Sequence, residues 1–585
     1  MKLFKMVMKK LYGIIFVIVI SSGIISFLNV MMAKFIVYIV DGIVMNDAKL
    51  PNYLTMFFYN EDTFSKIIIS AVFMTIMAII ISIFNYIRSK YNTKLRLEMN
   101  KNIKNLLLKH TTYLEYSEYV WYENGQILQR VNNDSNNYIS YINDKLNLIL
   151  NTVFYTFFSL NVIIKLNFKV CLILSVIILT IILMSVWYCI KTKAIVNKKV
   201  TLSENLITKT MNSVYNPKMI KMTNNQENEI KKFDDNSEEY LKYDIKEIDY
   251  LIYYELIASG IKGLSTPFIY LVCGIMIIKG NMQIGGLMAI LTYSTTMLNY
   301  FQNVIYAVEG VNSFLVPSKR IKNFLSLNEE DFECKNIVSS DYKKIEFKNV
   351  SVKFENQLVL ENLNFTINQG ENIYLVGSNG SGKSIITKLL LGFVEYEGNI
   401  FIDDIELRCL NKFNLRENIG LCFQTPYIFS DTIKNNIDCF ENKNIEEIKK
   451  VCKICELDQE IEKNPNKYDE LLGERGINLS GGQKQRINIA RLLIQNKKVL
   501  IFDDVLSKLD NNTKSKIIKQ LNKYFPDNIN IFITHDLLKI PKGSRVLFID
   551  NKTIIDSTNT KLEKSNNNYK QLVDICENVL GGSDE

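Results

Sequence analysis

At 585 residues the chain is too long for one ordinary hydrophobic core, so at least two domains are predicted. Hydrophobic residues make up 48% of it, unevenly: long apolar runs fill the first part, and the stretch from Asp341 onward reads as a soluble domain. The net charge of +8 comes from Lys and Arg flanking apolar runs. No basic stripe with interleaved aromatics marks a nucleic-acid surface, and two His, His110 and His535, exclude a multi-His metal site.

Apolar runs of spanning length lie at Tyr12–Met32, Ile67–Ile87, Leu146–Ile164, Val170–Ile190, Gly263–Ile278 (extended by Leu251–Ile261 across Lys262) and Ile284–Tyr306. A bilayer needs about 20 such residues per helix, so six membrane helices are predicted. The first run lacks a small-residue cleavage site and continues apolar through Phe35–Val40, so it reads as a membrane helix and not a signal peptide. Runs two and three are separated by the polar stretch Arg88–Lys145, and runs four and five by Lys191–Tyr250. Both stretches open with basic residues, as does the N-terminus, which places all three in the cytoplasm. They are poor in Pro and Gly. Each fits a hairpin of two helices about 30 residues long, reaching about 45 Å at 1.5 Å per residue.

Tyr155, Asn161, Tyr293, Asn299 and Asn303 fall within apolar runs and read as helix-to-helix bonds or as cavity lining. Glu255, Lys262 and Glu309 are costly at membrane depth and are the candidates for a substrate path. An amphipathic tail (Ile321, Phe324, Leu325) and a polar linker lead into short apolar strands alternating with helices, an α/β domain with a largely parallel sheet. The boundaries are 1–320 for the membrane domain, 321–340 for the linker and 341–585 for the α/β domain. Of ten Cys, only Cys452 and Cys455 form C-x-x-C; with no second pair nearby they read as core packing.

Gly377-Ser378-Asn379-Gly380-Ser381-Gly382-Lys383-Ser384 matches the Walker A pattern, with an apolar strand before it and a helical run after. Its glycines let backbone N–H groups wrap phosphates, Lys383 reaches the β- and γ-phosphates, and Ser384 ligates Mg²⁺. The strand Val499–Phe502 ends in Asp503-Asp504, a Walker B element: Asp503 orders the Mg²⁺ shell and Asp504 faces the attacking water. Between them, Leu479-Ser480-Gly481-Gly482-Gln483 opens another helix, a second phosphate-binding device.

With these motifs in this order, the soluble domain resembles the ABC ATPase family, in which Leu479–Gln483 would close over ATP held by a second domain. The resemblance places Gln424 at the Q-loop as a catalytic and Mg²⁺-linked residue. It places His535 at the switch histidine, Ser507–Asp510 in the D-loop with Asp510 at the nucleotide interface, and Phe354 at the adenine-stacking aromatic. The membrane half resembles the exporter branch. Gln424–Ile433 and Leu472–Gly476 look like exporter Q-loop and X-loop segments, which touch the membrane domain, and Gly125–Arg130 with Asn133-Asp134 resembles the segment just after the first coupling helix; the coupling helices would lie near Tyr116–Tyr122 and Met211–Asn216.

The resemblance implies a fold of six transmembrane helices with long cytoplasmic extensions fused to an α/β P-loop ATPase. It implies ATP-driven export of a peptide, drug-like or lipid-like substrate by one half of a dimer in the cell membrane, with ATP and Mg²⁺ as cofactors. Import on the same fold and an ATP-gated regulator or channel stay open as readings; a soluble ABC protein is excluded by the apolar runs. One position departs from the family: Asp504 stands where hydrolysing members carry Glu. Together with an intact Leu479–Gln483, this resembles the weak-site subunit of a heterodimeric exporter.

Overall fold

The structure is a computed structural model that describes residues 7–8, 11–44, 63–120, 122, 124–309, 311–332, 334, 336–338, 342–354, 357–439, 441–473 and 476–581. Two compact units emerge: Met1–Tyr113 with Tyr122–Leu327, and Leu114–Trp121 with Asn328–Glu585.

The first unit is helical. Its main helices are α1 (Tyr12–Val37), α2 (Thr63–Tyr113), α3 (Ser135–Leu166), α4 (Phe168–Tyr215), α5 (Pro217–Met222), α6 (Gln226–Ile278), α7 (Ile284–Glu309) and α8 (Val311–Phe324). Among the described residues, five helices are long and apolar enough to cross a membrane: Tyr12–Asp41, Thr63–Tyr113, Gly125–Leu166, Phe168–Met211 and Gln226–Ile278. The sixth run forms α7. Helices α2, α4 and α6 have 51, 48 and 53 residues. At 1.5 Å per residue they are about 75 Å long, more than twice a ~30 Å hydrocarbon layer. In the apolar stretches at most 33% of residues are buried in the protein. The outward faces (Phe64, Ile83, Val153, Phe157, Leu172, Val176) are exposed aliphatic and aromatic side chains, which water would penalise and lipid would not.

The core of this unit joins Val30, Tyr155, Ile163, Leu174, Ile181, Ile269 and Tyr293. Tyr293 donates its hydroxyl hydrogen bond to the Val30 carbonyl at 2.9 Å, so it ties α7 to α1. Asn161 donates to Phe157 on its own helix. At its far end α1 passes into a π-helical turn, Tyr38–Val44, where buried Asp41 accepts the backbone N–H of Gly285 at 2.6 Å and caps the start of α7.

The second short cytoplasmic helix differs from expectation. Met211–Tyr215 continues α4; the break falls at Asn216, and the short helix is Pro217–Met222. The cause is local. The residue before a proline is driven out of the helical region (Asn216 has φ −119°, ψ 46°), while proline itself fits the first helical turn.

The second unit is α/β. A six-stranded sheet runs β10-β9-β3-β8-β7-β6, from β3 (Asn372–Gly377), β6 (Ile419–Cys422), β7 (Val499–Asp503), β8 (Ile529–Ile533), β9 (Arg545–Asp550) and β10 (Thr553–Thr558). Its pairings are parallel except for the β9–β10 edge. A second sheet, β2-β1-β4-β5, is antiparallel and was not anticipated; it is formed by β1 (Lys344–Phe354), β2 (Gln357–Asn368), β4 (Glu397–Ile402) and β5 (Ile405–Glu406). Central strands are apolar on both faces because packed elements cover both, as a parallel sheet requires. Cys452 and Cys455 are fully buried in one of the two cores, as packing residues. The segment Leu114–Trp121 belongs to this unit. Tyr116 stacks on Phe393 with ring centroids 4.6 Å apart, Lys388 lies over Tyr116, and the Glu115 N–H donates to the Asn328 carbonyl.

Candidate nucleotide site

Strand β3 ends at Gly377, and helix Lys383–Leu390 begins six residues later. The turn between them uses conformations closed to ordinary side chains: φ is +78° at Gly380 and +104° at Gly382. A Cβ on Gly382 would sit 3.0 Å from Leu360 and one on Gly377 would sit 2.7 Å from the Ser381 hydroxyl, so the backbone passes where no side chain fits. The loop thus aims a row of N–H groups and a helix N-terminus at one point, an anion cradle. Lys383 is buried and donates to the carbonyls of Gly377 and Ser378, each at 2.8 Å. The Ser381 hydroxyl is buried with no hydrogen-bond partner among the described residues, an atom that a polyphosphate oxygen would satisfy.

Strand β7 lies one strand away from β3, across β8, and delivers Asp503 and Asp504 beside the same loop. Burial pushes the Asp503 carboxyl up, helped by neighbouring Asp504 and opposed by His535 and Lys383. Burial pushes the Lys383 ammonium down, against the pull of Asp503 and Asp504. His535, just past β8, is likewise held low by burial and then by Lys383. These mutual effects place Lys383, Asp503, Asp504 and His535 in one electrostatic cluster. Gln424 joins it by donating from its amide to Asp504 Oδ2 at 3.2 Å, and Gln485 fixes the Gln424 carbonyl at 2.7 Å. Asp504 Oδ1 is buried with no partner among the described residues, and its backbone adopts the left-handed conformation at φ +47°. The donor set of Ser384 hydroxyl, Gln424 amide oxygen and Asp503 carboxylate suits a hard divalent cation such as Mg²⁺.

Ser480 caps helix Gly481–Leu493 in a reciprocal box: its hydroxyl accepts the Gln483 N–H, and the Gln483 side chain accepts the Ser480 N–H. Gln483 and Arg486 both donate to Glu460, which braces this helix start. Asp510 caps the helix Asn511–Tyr524 through the Thr513 N–H at 2.9 Å. Among the described residues, no hydrogen bond joins Leu479–Gln483 or Asp510 to the Gly377–Ser384 loop. Each is built as a separate, solvent-facing surface. Phe354 ends β1 opposite Gln357, and its side chain lies outside the described residues, as do those of Glu309, Glu474 and Arg475. Sequence reasoning missed Lys514, a buried cation lining a small cavity with Asp504, Thr534 and Asp536. Only the three-dimensional packing brings it there.

Comparison with known proteins agrees with this geometry. Residues 15–301 match the ABC transporter transmembrane region and residues 360–507 the ABC transporter domain. A putative multidrug export ATP-binding/permease protein of Bacillus subtilis is 30% identical over 318 residues, 53% of this chain and 55% of that one. A putative export ATP-binding/permease protein of Rickettsia conorii is 26% identical over 540 residues, covering 88% and 90%. An ATP-dependent lipid A-core flippase of Haemophilus influenzae is 32% identical over 310 residues, with 52% and 53% covered. In fold, a bacterial Atm1-family ABC exporter with ATP bound superposes with a TM-score of 0.83 over 97% of this chain and 98% of that one, at 19% identity. A helical membrane region fused to an α/β ATPase domain, matched on both sides of the junction, means that the chain belongs to the ABC transporter family, as part of a membrane exporter whose transport is driven by ATP hydrolysis.

Proposed function

We propose that this chain is the subunit of a heterodimeric exporter that holds ATP in a slowly hydrolysing site. Its Leu479–Gln483 surface and Asp510 would complete the partner's fast site. Six membrane helices in residues 1–320 would form half of the pathway, joined through 321–340 to the ATP-binding domain from 341. The observation that carries this reading is Asp504. Its carboxylate is one C–C bond, about 1.5 Å, shorter than a Glu there, and one of its oxygens accepts from Gln424. Errors near 1 Å at a reacting group cost about a hundredfold in rate. Binding, by contrast, would draw on the Gly377–Ser384 loop, Lys383 and Asp503, which are intact. Mg²⁺ held by Ser384, Gln424 and Asp503 would supply positive charge to the β- and γ-phosphates; Phe354 would stack on the adenine, and His535 would hydrogen-bond near the γ-phosphate. The names of relatives, a multidrug export protein and a lipid A-core flippase, favour amphipathic substrates over ions.

The test is ATP turnover by the purified chain alone and after co-expression with a second half-transporter carrying Glu after its Walker B Asp. Retained ATP binding by the chain alone, with turnover appearing only in the mixed assembly, is the expected result. Full turnover by this chain alone would establish a competent homodimer and end the weak-site reading.

A further inference from the structure

The ATP-binding unit holds a buried cation that the nucleotide chemistry above does not use. Lys514 lies in the first turn of the helix Asn511–Tyr524 and is 9% exposed. Its backbone N–H donates to the Asp510 carbonyl at 3.0 Å. Among the described residues its ammonium has no hydrogen-bond or ion-pair partner. A charge taken out of water is costly unless it is paired, so a buried ammonium calls for an acceptor.

Lys514 lines a small cavity together with Asp504, Ser507, Thr534, Asp536 and Lys539. Two of these carry negative charge. Asp536 is already engaged, since its Oδ2 pairs with the Lys539 ammonium at 2.6 Å. Asp504 is engaged on one side only. Its Oδ2 accepts from Gln424, which does not line the cavity, and its Oδ1 is buried with no partner among the described residues. The cavity thus brings together two complementary orphans, an ammonium without an acceptor and a carboxylate oxygen without a donor. Its open volume for water is about 10 Å³, room for at most one bridging molecule.

The backbone of Asp504 is fixed. Its N–H donates to the Ile533 carbonyl at 3.0 Å, its carbonyl accepts from Ser507 Oγ at 2.8 Å, and its φ is +47°. Side-chain rotation alone then decides which way the carboxylate faces. Helical side chains lean toward the N-terminus of their helix, so the Lys514 stem runs back toward Asp510 and the turn that starts at Asp504. Burial pushes this ammonium down; Asp536 pulls it up, Lys539 opposes, and Asp504 pulls it up again. No residue of the Gly377–Ser384 loop lines the cavity, so a carboxylate drawn into it turns away from the phosphate loop.

We infer that Lys514 is a positioning residue: its ammonium, directly or through one water, takes Asp504 Oδ1 and holds the carboxylate on the cavity side, away from the phosphate loop. The shortened acid is then also tied back, a second cause of slow hydrolysis. The inference rests on the reading of Asp504 as the residue that faces the attacking water, and it holds whether the transporter is a mixed assembly or a homodimer.

The experiment uses the full-length transporter in lipid nanodiscs and reads ATP turnover at this chain's site. In the mixed assembly the other half carries Gln after its Walker B Asp, which leaves this site alone to turn over. Lys514→Met keeps the length of the side chain and removes its charge. It should raise kcat by about three- to tenfold, part of the roughly hundredfold that an error near 1 Å costs, and leave KM for ATP within about twofold. Lys514→Arg keeps the cation and should show less than half of that gain. In the Asp504→Asn background, Lys514→Met should gain nothing, because the carboxylate it frees is gone. A gain in rate cannot come from a chain that fails to fold. Thermal unfolding gives a second measure: the double variant Lys514→Met, Asp504→Asn should lose less in Tm than the sum of the two single losses, as contacting groups do.

An unchanged or lower kcat in folded Lys514→Met overturns the inference, as does an equal gain in the Asp504→Asn background or a strictly additive loss in Tm. The weak-site reading fails separately. If the chain alone turns over at full rate, the same comparison is made on that homodimer. A fast wild type made faster still by Lys514→Met keeps the positioning role and removes the weak site; a fast wild type that Lys514→Met does not change removes both.

Discussion

The Gln424 side-chain amide donates to Asp504 Oδ2 at 3.2 Å while Asp504 Oδ1, buried, has no partner among the described residues. A carboxylate held by one oxygen and set back by one methylene is poorly placed to orient water against a phosphate. Asp504→Asn should therefore change turnover of the mixed assembly little, within about twofold. Asp504→Glu should raise turnover of this chain's own site, or leave it no lower. A loss of more than about tenfold in Asp504→Asn would show that Asp504 acts as the base, since a positioned general base contributes about 10² to 10⁴ in rate.

Lys383 is buried with its ammonium on the Gly377 and Ser378 carbonyls, within the Gly377–Ser384 loop. Lys383→Ala should abolish tight Mg-ATP binding by this chain, because the phosphate charge loses its fixed counter-charge. Charge-assisted hydrogen bonds contribute about 1.5–3 kcal/mol each, so two lost contacts predict at least a hundredfold weaker affinity. Equilibrium binding of a fluorescent ATP analogue checks this; an unchanged affinity removes the Walker A assignment.

Ser480 serves its own helix only as a cap, so its loss is local within this chain. Ser480→Arg should cost about 1 kcal/mol of local stability through the lost cap. Nucleotide binding at Lys383 should survive, and turnover of the dimer should be suppressed, because the bulky cation occupies the surface meant for the partner's ATP. Normal hydrolysis by a monomeric Ser480→Arg chain would contradict a composite site.

The strand–turn–helix around Gly377–Ser384 was legible because it is local: consecutive residues make the turn, and a strand and a helix bracket it. The same holds for Asp503 and Asp504 at a strand end, and for the Ser480 cap with Gln483 three residues on. What stayed hidden depends on distant parts of the chain. The antiparallel sheet pairs Lys344–Phe354 with Gln357–Asn368 and Glu397–Ile402, and those short strands carry no mark of which sheet they join. Lys514 looks like any helical lysine until Asp504 and Asp536 close around it. The misplaced short helix is a different kind of miss. Its start is set by Pro217, which drives Asn216 out of the helical region and fits the first turn of the next helix.

Glu330 is nearly buried and is gripped by Arg416 through two parallel hydrogen bonds, 2.6 and 2.8 Å, while the same guanidinium lies 4.5 Å over the Phe393 ring. Arg416→Ala leaves a buried carboxylate unpaired and should destabilise the ATP-binding unit by about 3 kcal/mol. Differential scanning fluorimetry of the full chain, with and without ATP, reads this as a drop in the lower-melting transition. The double variant Arg416→Ala, Glu330→Gln should lose less than the single one, since the uncompensated charge is gone.

Phe393 also receives Tyr116, from a segment that is sequentially part of the first long cytoplasmic loop yet packs with the ATP-binding unit. The contact is a stack of two rings tilted 24°, with Lys388 5.6 Å above Tyr116 and Arg416 above Phe393. Stacked aromatic pairs contribute about 0.5–1.5 kcal/mol beyond burial. That is enough to transmit a shift of the ATP-binding unit to the loop, and too little to hold the fold. Tyr116→Ala should therefore leave ATP binding by this chain intact while ATP turnover persists and ATP-driven flux in vesicles falls at least fivefold. Tyr116→Phe keeps the ring and should retain flux. If Tyr116→Ala and Phe393→Ala act through this stack, the double variant loses no more flux than either alone. Additive losses would mean the two rings act separately and that coupling runs through other contacts.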